Sequence, residues 1–270
     1  MSVLQEIVAR KRDRLATAKL SVPPERILEG AYVKRSRATR HRLQEALKPD
    51  GVNIIAEFKR KSPSKGVIRA GVDAASLARS YEAGGAVAIS VLTEEDYFSG
   101  SLEDLEEVKS VVQLPVLRKD FLFEEYQIYE SAAAGADAIL LIVASLEDTQ
   151  LWDLRCLAED ELGMDALVEV HDEHEMDRAL AIGADLIGVN NRNLHTFEVS
   201  LETSLRLAQS VGSHSTLISE SGLQQSKDLA MLQAVGYRGF LIGELLMRAE
   251  DPEEALRNLT GLCSGGSACL

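Results

Sequence analysis

The sequence predicts an α/β protein and, within that class, a (β/α)8 TIM barrel with an N-terminal helical extension. Three observations carry this prediction. A helix–glycine–strand phrase recurs along the chain, short apolar segments alternate with helical patterns, and polar side chains cluster where the apolar segments end.

The recurring phrase is a helical pattern followed by a glycine and then a short apolar run. It reads YEAGGAVAISVL (81–92), SAAAGADAILLIV (131–143), LAIGADLIGVNN (180–191) and LQAVGYRGFLIG (232–243). Glycine enters the left-handed region at little cost, so it is well suited to end a helix. A nearly continuous apolar run is typical of a strand buried on both faces of a parallel sheet.

Four further strands bring the predicted number to eight. They lie at 53–59, 115–121, 165–170 and 215–221. Helical patterns separate and follow the strands, at about 72–84, 101–112, 124–134, 147–162, 172–182, 201–210, 226–234 and 252–259. An open doubly wound sheet is the alternative, but eight even units favour closure. No Gly-rich dinucleotide fingerprint follows the first strand either.

The 270 residues are predicted to form one domain, 1–270, because no low-complexity segment divides the chain. Residues 1–48 form the helical extension, in which Pro23-Pro24 separates two helical patterns. We expect truncation to residue 45 to leave a folded barrel that binds its substrate poorly. Residues 260–270 lack periodicity and are predicted to be a loose tail.

Composition excludes several classes of function. A net charge of −14 argues against a nucleic-acid partner, because phosphate backbones are bound by clustered Lys and Arg. No segment approaches the roughly 20 apolar residues that span a bilayer, and the N-terminus lacks the apolar run of a signal peptide. Cys156, Cys263 and Cys269 show neither metal spacing nor a framework of pairs. We therefore expect a cytoplasmic protein without a membrane partner. It is expected to be a monomer, with weak self-association as the alternative, although no sequence feature decides the oligomeric state.

The first strand contains a carboxylate where an apolar residue is expected. In NIIAEFKRKSPSKG (53–66), Glu57 lies inside the strand, and Lys59 follows at the same strand parity. A buried ion without a partner is costly, so Glu57 is expected to face a wet pocket that holds opposite charges. Arg60 and Lys61 are interpreted as solvated loop charges.

Other strands also end in polar side chains, and barrel active sites lie at the C-terminal ends of strands. The third strand ends in Lys119, the fifth carries Glu169, and the sixth ends in Asn190 with Arg192 close behind; Glu220 and Ser221 end the seventh. A metal site is not predicted. His171 and His174 are three residues apart, but no third ligand is apparent and the segment looks like the capped start of a helix.

The loops after strands seven and eight predict a phosphate site. Barrels often bind phosphate there through backbone N–H groups. The loops read SESGL and FLIGELL, in which Gly222 and Gly243 allow close approach of the backbone. Glu244 must offer its N–H group and turn its carboxylate away from the anion.

Several segments of the chain resemble those of a known family. The segments IIAEFKRKSPSKG, SVLTEEDYFSGS, PVLRKDFLFEEYQIYESAAAGADAILLI, LVEVHDEHEMDRALAIGADLIGVNNRNLHTFEV, SESGL and FLIGELLMR are similar to those of indole-3-glycerol phosphate synthases of the tryptophan pathway. The similarity runs in order from about residue 50 to residue 248. It implies a small phosphorylated substrate, 1-(2-carboxyphenylamino)-1-deoxyribulose 5-phosphate, and ring closure with loss of CO₂ and water. It also implies that no cofactor or metal takes part.

The resemblance implies a role for each site residue. Lys119 is similar to the general acid, Glu169 to the general base, and Lys59 to the lysine that pairs with the substrate carboxylate. Glu57 and Asn190 are similar to residues that orient the sugar hydroxyls and the lysines, and Phe121 to the wall beside the anthranilate ring. Further polar residues of the pocket match Arg192, Glu220 and Ser221. The residues at the phosphate end match Ser62, Gly222, Gly243 and Glu244.

Like-charge repulsion between the two lysines is expected to let one of them lose its proton near neutral pH, although nearby carboxylates oppose this. Two other functions stay open. One is another phosphate-binding barrel, such as an isomerase of the tryptophan or histidine pathway. The other is a non-catalytic barrel, which predicts loss of Lys119 or Glu169, and both are present.

Overall fold

The computed structural model describes residues 3–194, 196–212 and 214–261. Eight parallel strands form a closed barrel in which each strand pairs with the next along the chain and the last pairs with the first. They are β1 (Asn53–Phe58), β2 (Ala88–Leu92), β3 (Val116–Lys119), β4 (Ala138–Ile142), β5 (Asp165–Val170), β6 (Leu186–Asn190), β7 (Thr216–Glu220) and β8 (Tyr237–Ile242). The predicted (β/α)8 barrel is therefore confirmed.

Helices precede the barrel and follow its strands. They are α1 (Val3–Ser21), α2 (Pro24–Arg35), α3 (Arg42–Ala46), α4 (Ala74–Ala83), α5 (Leu102–Val111), α6 (Glu125–Ala134), α7 (Asp148–Cys156), α8 (Glu173–Ala181), α9 (Glu202–Leu207), α10 (Ser226–Gln233), α11 (Glu244–Arg248) and α12 (Pro252–Thr260). Side chains of Asp73, Ser101 and Asp251 accept backbone N–H groups at the starts of α4, α5 and α12. The sequence patterns missed several short elements, among them α3, α11 and a small hairpin of Lys61–Ser62 with Gly66–Val67.

The glycines of the recurring phrase have the predicted conformation. Gly85, Gly135, Gly183 and Gly236 all have positive φ. Gly135 shows why glycine is needed, because it ends α6 with φ of 92° and turns the chain directly into β4.

Alternate strand residues fill the interior of the barrel, as expected for a closed sheet. This inner layer consists of Ile55, Ala88, Leu117, Ala138, Leu140, Ile142, Leu167, Leu186, Ile218 and Leu241. Two residues further along their strands, Glu57, Lys119 and Glu169 have the same parity as Ile55, Leu117 and Leu167. Their side chains therefore face inward above the apolar layer, at the C-terminal end of the barrel.

The N-terminal extension contacts both ends of the barrel. From α1, Val3, Leu4 and Ile7 line the cavity at the barrel mouth. From α3 and its C-cap, Leu43 and Leu47 are 0% and 1% exposed and pack into the inner layer from the opposite end. Asp165, at the start of β5, accepts the N–H group of Leu43 at 2.7 Å and so attaches α3 to the sheet. The extension thus has a structural part as well as a part at the cavity.

This division changes the expected effect of truncation. Removal of residues 1–21 deletes α1 and should leave a folded barrel with a raised KM. Removal through residue 47 also takes away Leu43 and Leu47, and each buried leucine is worth about 2–5 kcal/mol. The longer truncation should therefore unfold at a markedly lower temperature or fail to fold. Far-UV circular dichroism and thermal melts of the two truncated chains would test this, and equal melting temperatures would contradict it.

The C-terminal prediction applies in part to residues with defined structure. Helix α12 continues through Thr260, and Gly261 follows as its C-cap with φ of 73°. The rest of the predicted tail, 262–270, lies outside the described residues. Within the described ranges, no helix combines the length and the apolarity needed to cross a membrane.

Candidate active site

A cavity of about 910 Å³ opens at the C-terminal ends of the strands. All thirteen residues predicted for the site line it. They are Glu57, Lys59, Ser62, Lys119, Phe121, Glu169, Asn190, Arg192, Glu220, Ser221, Gly222, Gly243 and Glu244. The apolar part of the wall includes Phe98, whose ring centroid lies 6.2 Å from that of Phe121.

Lys119 lies between two carboxylates near the centre of this cavity. Its Nζ is 2.9 Å from Oε2 of Glu169 and 2.8 Å from Oε2 of Glu220. The three side chains come from β3, β5 and β7, and closure of the barrel brings them together although 50 and 101 residues separate the carboxylates from the lysine. A proton donor and two proton acceptors therefore lie within direct transfer distance.

The charge of Lys119 is stabilised by its surroundings. Burial alone lowers the pKa of Lys119, but the carboxylates of Glu169, Glu220 and Glu57 raise it above the ordinary lysine value. The expectation of a lysine that loses its proton near neutral pH is therefore wrong for Lys119. The physical reason is that carboxylates, rather than the second lysine, are its nearest charged neighbours.

The two carboxylates beside Lys119 titrate differently. Burial raises the pKa of both, and the Lys119 ammonium lowers both. The pKa of Glu169 falls below its usual range because His171 adds a second positive charge. For Glu220, burial together with the nearby carboxylates of Glu169 and Glu57 outweighs Lys119 and raises the pKa to about 7. Its Oε1 is buried and has no hydrogen-bond partner within the described structure. Such a separation of two pKa values is typical of acid–base assignments.

Glu57 has the partner that the sequence required. It is 2% exposed and forms a close ion pair with Lys59, and both side chains line the cavity. Arg60, in contrast, is not a solvated loop charge. Its guanidinium binds both carboxylate oxygens of Asp104 at 2.5 and 2.6 Å, outside the cavity, so that interpretation was wrong.

The two asparagines after β6 have separate tasks. Asn190 faces the cavity, where its Nδ2 donates to Oε1 of Glu169 at 3.2 Å. Its Oδ1 accepts the N–H group of Arg192 at 3.0 Å, which fixes the orientation of the amide. Asn191 is buried on the other side and donates to the backbone oxygens of Glu220 and Ser221, both at 3.1 Å. It holds the end of β7, where Ser221 has φ of 68°, a conformation that residues with a side chain rarely adopt.

The glycines of the predicted phosphate loops are required by protein neighbours as well. A Cβ atom on Gly243 would lie 2.3 Å from Oε1 of Glu57. A Cβ atom on Gly222, which has φ of 83°, would lie 2.5 Å from Cγ1 of Val199. The Oε1 atom of Glu244 accepts from Nε of Arg248 at 3.1 Å and lies 3.8 Å from Nζ of Lys65.

The comparison of the sequence with known families decides the family of this chain. The model of the indole-3-glycerol phosphate synthase family matches residues 4–259. This chain belongs to the indole-3-glycerol phosphate synthase family. It is an enzyme, a lyase that forms indole-3-glycerol phosphate in tryptophan biosynthesis, and it acts on a small phosphorylated substrate.

Two relatives that carry the family's name align with nearly the whole chain. The indole-3-glycerol phosphate synthase of Desulfosudis oleivorans is 45% identical over 258 residues, which cover 95% of this chain and 98% of that protein. The indole-3-glycerol phosphate synthase of Desulfotalea psychrophila is 48% identical over 260 residues, with the same shares of both chains.

A more distant solved structure shares the fold alone. Thiamine phosphate pyrophosphorylase from Pyrococcus furiosus superposes with a TM-score of 0.58 at 17% identity, over 80% of this chain and 95% of that one. At this level of identity the likeness confirms a barrel and carries no information about activity.

In this member of the indole-3-glycerol phosphate synthase family, sequence reasoning missed several residues at the site. Gly188 in β6 is the clearest case, because a Cβ atom there would lie 2.2 Å from Oε1 of Glu220. The available signal was a single glycine inside an apolar strand, which often marks the close approach of another group. Contacts from α1 carried no local signal, since that helix reaches the mouth only through the tertiary fold.

No metal site is found among the described residues, since no group of three or more His, Cys, Asp or Glu side chains is placed to hold a metal ion there. The pair of His171 and His174 has a different arrangement. His171 packs beside Glu169 at the end of β5, whereas His174 is exposed on α8.

Gly243→Val should weaken substrate binding strongly. The added side chain would displace the Glu57 carboxylate, and with it the Lys59 ammonium, besides narrowing the loop that is predicted to bind phosphate. We expect KM to rise by at least tenfold, because displacement of an active-site side chain by about 1 Å can reduce the catalytic rate by about 10²-fold. Steady-state kinetics would measure this effect, and a wild-type KM would contradict the placement. So would a crystal soaked in phosphate that held the anion elsewhere at the barrel mouth.

Proposed function

We propose that the chain converts 1-(2-carboxyphenylamino)-1-deoxyribulose 5-phosphate to indole-3-glycerol phosphate, CO₂ and water by lysine–glutamate acid–base catalysis. The observation that carries this proposal is the position of Lys119 Nζ within 2.9 Å of Glu169 and 2.8 Å of Glu220 in a single cavity. Family membership supports the overall reaction, and the geometry supports the division of roles.

Lys119 acts as the general acid of the condensation. Ring closure requires protonation of an oxygen on the sugar-derived chain, and a general acid must carry its proton when substrate arrives. Carboxylates raise the pKa of Lys119 above its ordinary value, although burial opposes them, so the ammonium form is the starting state. Once Glu169 has accepted a proton from the substrate as general base, it can return that proton to the Lys119 amine, which lies 2.9 Å away.

Glu169 acts as the general base of the dehydration. Its pKa lies below the usual range because Lys119 and His171 outweigh the effect of burial, so it begins the step as a carboxylate. Asn190 donates to Oε1, which leaves Oε2 directed toward Lys119. A base held in this way stays ionised and oriented before it accepts a proton.

Lys59 has a different role from Lys119. Its ammonium lies beside Glu57 at the edge of the cavity, and its side chain is 20% exposed compared with 11% for Lys119. A partly exposed cation is well placed to pair with the substrate carboxylate and to hold it until CO₂ leaves. Glu57 orients Lys59 and, with Asn190, contacts the hydroxyl groups.

The two ends of the cavity suit the two ends of the substrate. Phe98, Phe121, Leu140, Ile142 and Leu194 supply an apolar wall for the anthranilate ring. On the opposite side, Ser62, Gly222, Gly243 and Glu244 present hydroxyl and backbone groups for the phosphate, with Arg192 and Ser221 between.

An assay of product formation tests the proposed function. Indole-3-glycerol phosphate is fluorescent, so the purified chain mixed with the carboxyphenylamino substrate should show a steady rise in indole fluorescence. An isomerase barrel or a non-catalytic barrel would show none. The matched control is Glu169→Gln, which keeps the shape of the side chain and should bind substrate with little turnover.

Glu220 should give binding a pH dependence near neutrality. Its pKa is raised to about 7, so the free chain has a neutral Glu220 below this pH and a carboxylate above it. Because the ligand is anionic, its dissociation constant should rise as pH increases through about 7. Fluorescence titration with the product would measure this dissociation constant between about pH 6 and pH 8, an interval of about one pH unit on either side of the Glu220 pKa.

Glu220→Gln is the control for that titration, because the glutamine stays neutral throughout while the ligand phosphate titrates as before. The contribution of Glu220 to the rise should disappear in this variant, which leaves only the pH dependence that the ligand phosphate produces. An identical pH dependence in both proteins would contradict the assignment of the effect to Glu220.

The remaining predictions concern the setting of the enzyme rather than its chemistry. A monomer in the cytoplasm, without nucleic-acid partners, remains the proposal. It is supported by the net charge of −14 and by the cysteine pattern.

A further inference from the structure

His171 lies between two carboxylates at the edge of the site. It follows β5 directly and shares the strand parity of Glu169, so the two side chains lie on the same side of the strand end. Its Nε2 is 3.3 Å from Oε1 of Glu169, an ion-pair contact rather than an aligned hydrogen bond. Its Nδ1 is 2.9 Å from Oε2 of Glu175. The ring is therefore held from both sides.

The start of α8 explains how Glu175 reaches this ring. Asp172 caps the helix by accepting the N–H group of Glu175 at 2.9 Å, which brings Glu175 back over the first turn. The same Oε2 atom that contacts the ring also accepts the backbone N–H group of His171 at 2.8 Å. One carboxylate thus fixes both the main chain and the imidazole of His171.

The charges around His171 favour its protonated form. Burial alone lowers the pKa of His171, but the carboxylates of Glu169 and Glu175 raise it to about 10. These two carboxylates face the ring from β5 and α8. Beyond Glu169 lie the Lys119 ammonium on β3 and the carboxylates of Glu220 on β7 and Glu57 on β1. At neutral pH the ring therefore carries a positive charge, which faces both carboxylates.

We propose that His171, fixed by Glu175, is a positioning residue that holds Oε1 of Glu169 and leaves Oε2 directed at Lys119. This inference rests on the proposed role of Glu169 as general base. The Asn190 amide donates to the same Oε1 atom at 3.2 Å, so one hydrogen bond and one ion-pair contact from neighbouring strand ends restrict rotation of the carboxylate. His171 itself lies behind Glu169, does not line the cavity and acts only through that residue.

His171→Gln tests the proposal, because glutamine keeps a donor near Glu169 but removes the charge. We expect kcat to fall by about 10- to 100-fold, as misplaced catalytic groups typically cause, while KM changes little. Loss of a neighbouring cation raises the pKa of a carboxylate by about 1–3 units. In a plot of kcat against pH, the fall at low pH (the acidic limb) reports protonation of Glu169. This limb should therefore move to higher pH. Glu175→Gln should lower kcat by a smaller factor, because the ring loses the carboxylate that fixes it.

His174→Gln is the matched control, since His174 is exposed on the same helix and should keep wild-type kinetics. Far-UV circular dichroism and thermal melts would confirm that each variant is folded. A folded His171→Gln enzyme with wild-type kcat and an unmoved acidic limb would overturn the proposal.

An NMR titration of the imidazole in the full chain needs no enzymatic activity. His171 should stay protonated above pH 8, whereas an ordinary histidine titrates near 6.5. A signal of His171 with an ordinary pKa would overturn the proposal. Failure of the wild-type chain to form product would instead overturn the proposed function, and the titration of the ring does not depend on that result.

Discussion

Lys119→Ala is expected to lower kcat by at least about 10²–10⁴-fold, the range that a positioned acid–base group supplies, while the affinity for substrate survives. The variant removes the proton donor that lies 2.8 Å from Glu220 and 2.9 Å from Glu169. Single-turnover and steady-state measurements of indole fluorescence would separate the chemical step from binding. A near-native kcat would contradict the assignment and make Lys59 the leading candidate for the acid.

Two matched variants make this test specific. Lys119→Arg keeps a positive charge between the carboxylates, but a guanidinium does not lose its proton in proteins. It should therefore lose kcat much as alanine does. Lys59→Ala should raise KM as well as lower kcat, because it removes the charge proposed to pair with the substrate carboxylate. Identical kinetic patterns for the two lysine-to-alanine variants would contradict the separate roles.

Gly188→Ala is expected to have the second largest effect, although glycine and alanine differ by one methyl group. The Cβ atom would lie 2.2 Å from Oε1 of Glu220 and 3.2 Å from Cδ1 of Leu167. Strand β6 is hydrogen-bonded on both sides within a closed barrel, so its backbone cannot withdraw. The Glu220 carboxylate must therefore move from its present position beside Lys119, and we expect kcat/KM to fall by about 10²-fold.

The stability of the Gly188→Ala protein should change less than its activity. Overpacking of this kind typically costs about 1–3 kcal/mol. Gly212→Ala is the control, because a Cβ atom there meets nothing within 4 Å. Combining Gly188→Ala with Glu220→Asp shortens the side chain that clashes and should restore part of the activity. A single Gly188→Ala variant with wild-type kcat/KM would show that Glu220 need not contact Lys119.

The element order and most of the site could be predicted from local patterns. Apolar runs preceded by helix-ending glycines identified the strands, because a parallel strand is buried on both faces and its whole run must be apolar. Polar side chains at strand ends then identified the site, because parallel strands of a barrel end at the same rim. Glu57, Lys119 and Glu169 were found in this way, since each interrupts or ends an apolar run.

Short helices and the charge states of side chains were harder to predict from the sequence. Helix α11 has five residues, too few for a periodic pattern to develop. The pKa of Lys119 depends on the balance between burial and three carboxylates from other strands, and sequence patterns do not measure distances between strands. For this reason the pKa of Lys119 is raised, whereas a lowered pKa was expected from the sequence.

The sequence by itself determined which side chains face the interior, because strand parity and the recurring phrase are local properties of the chain. Only the tertiary structure decided which of them touch. Gly188 accommodates Glu220, Gly243 accommodates Glu57, and Leu43 closes the barrel end opposite the site. Each contact joins residues far apart along the chain, and it exists because the eight strands close with one particular register. A pattern read along one segment contains no information about that register.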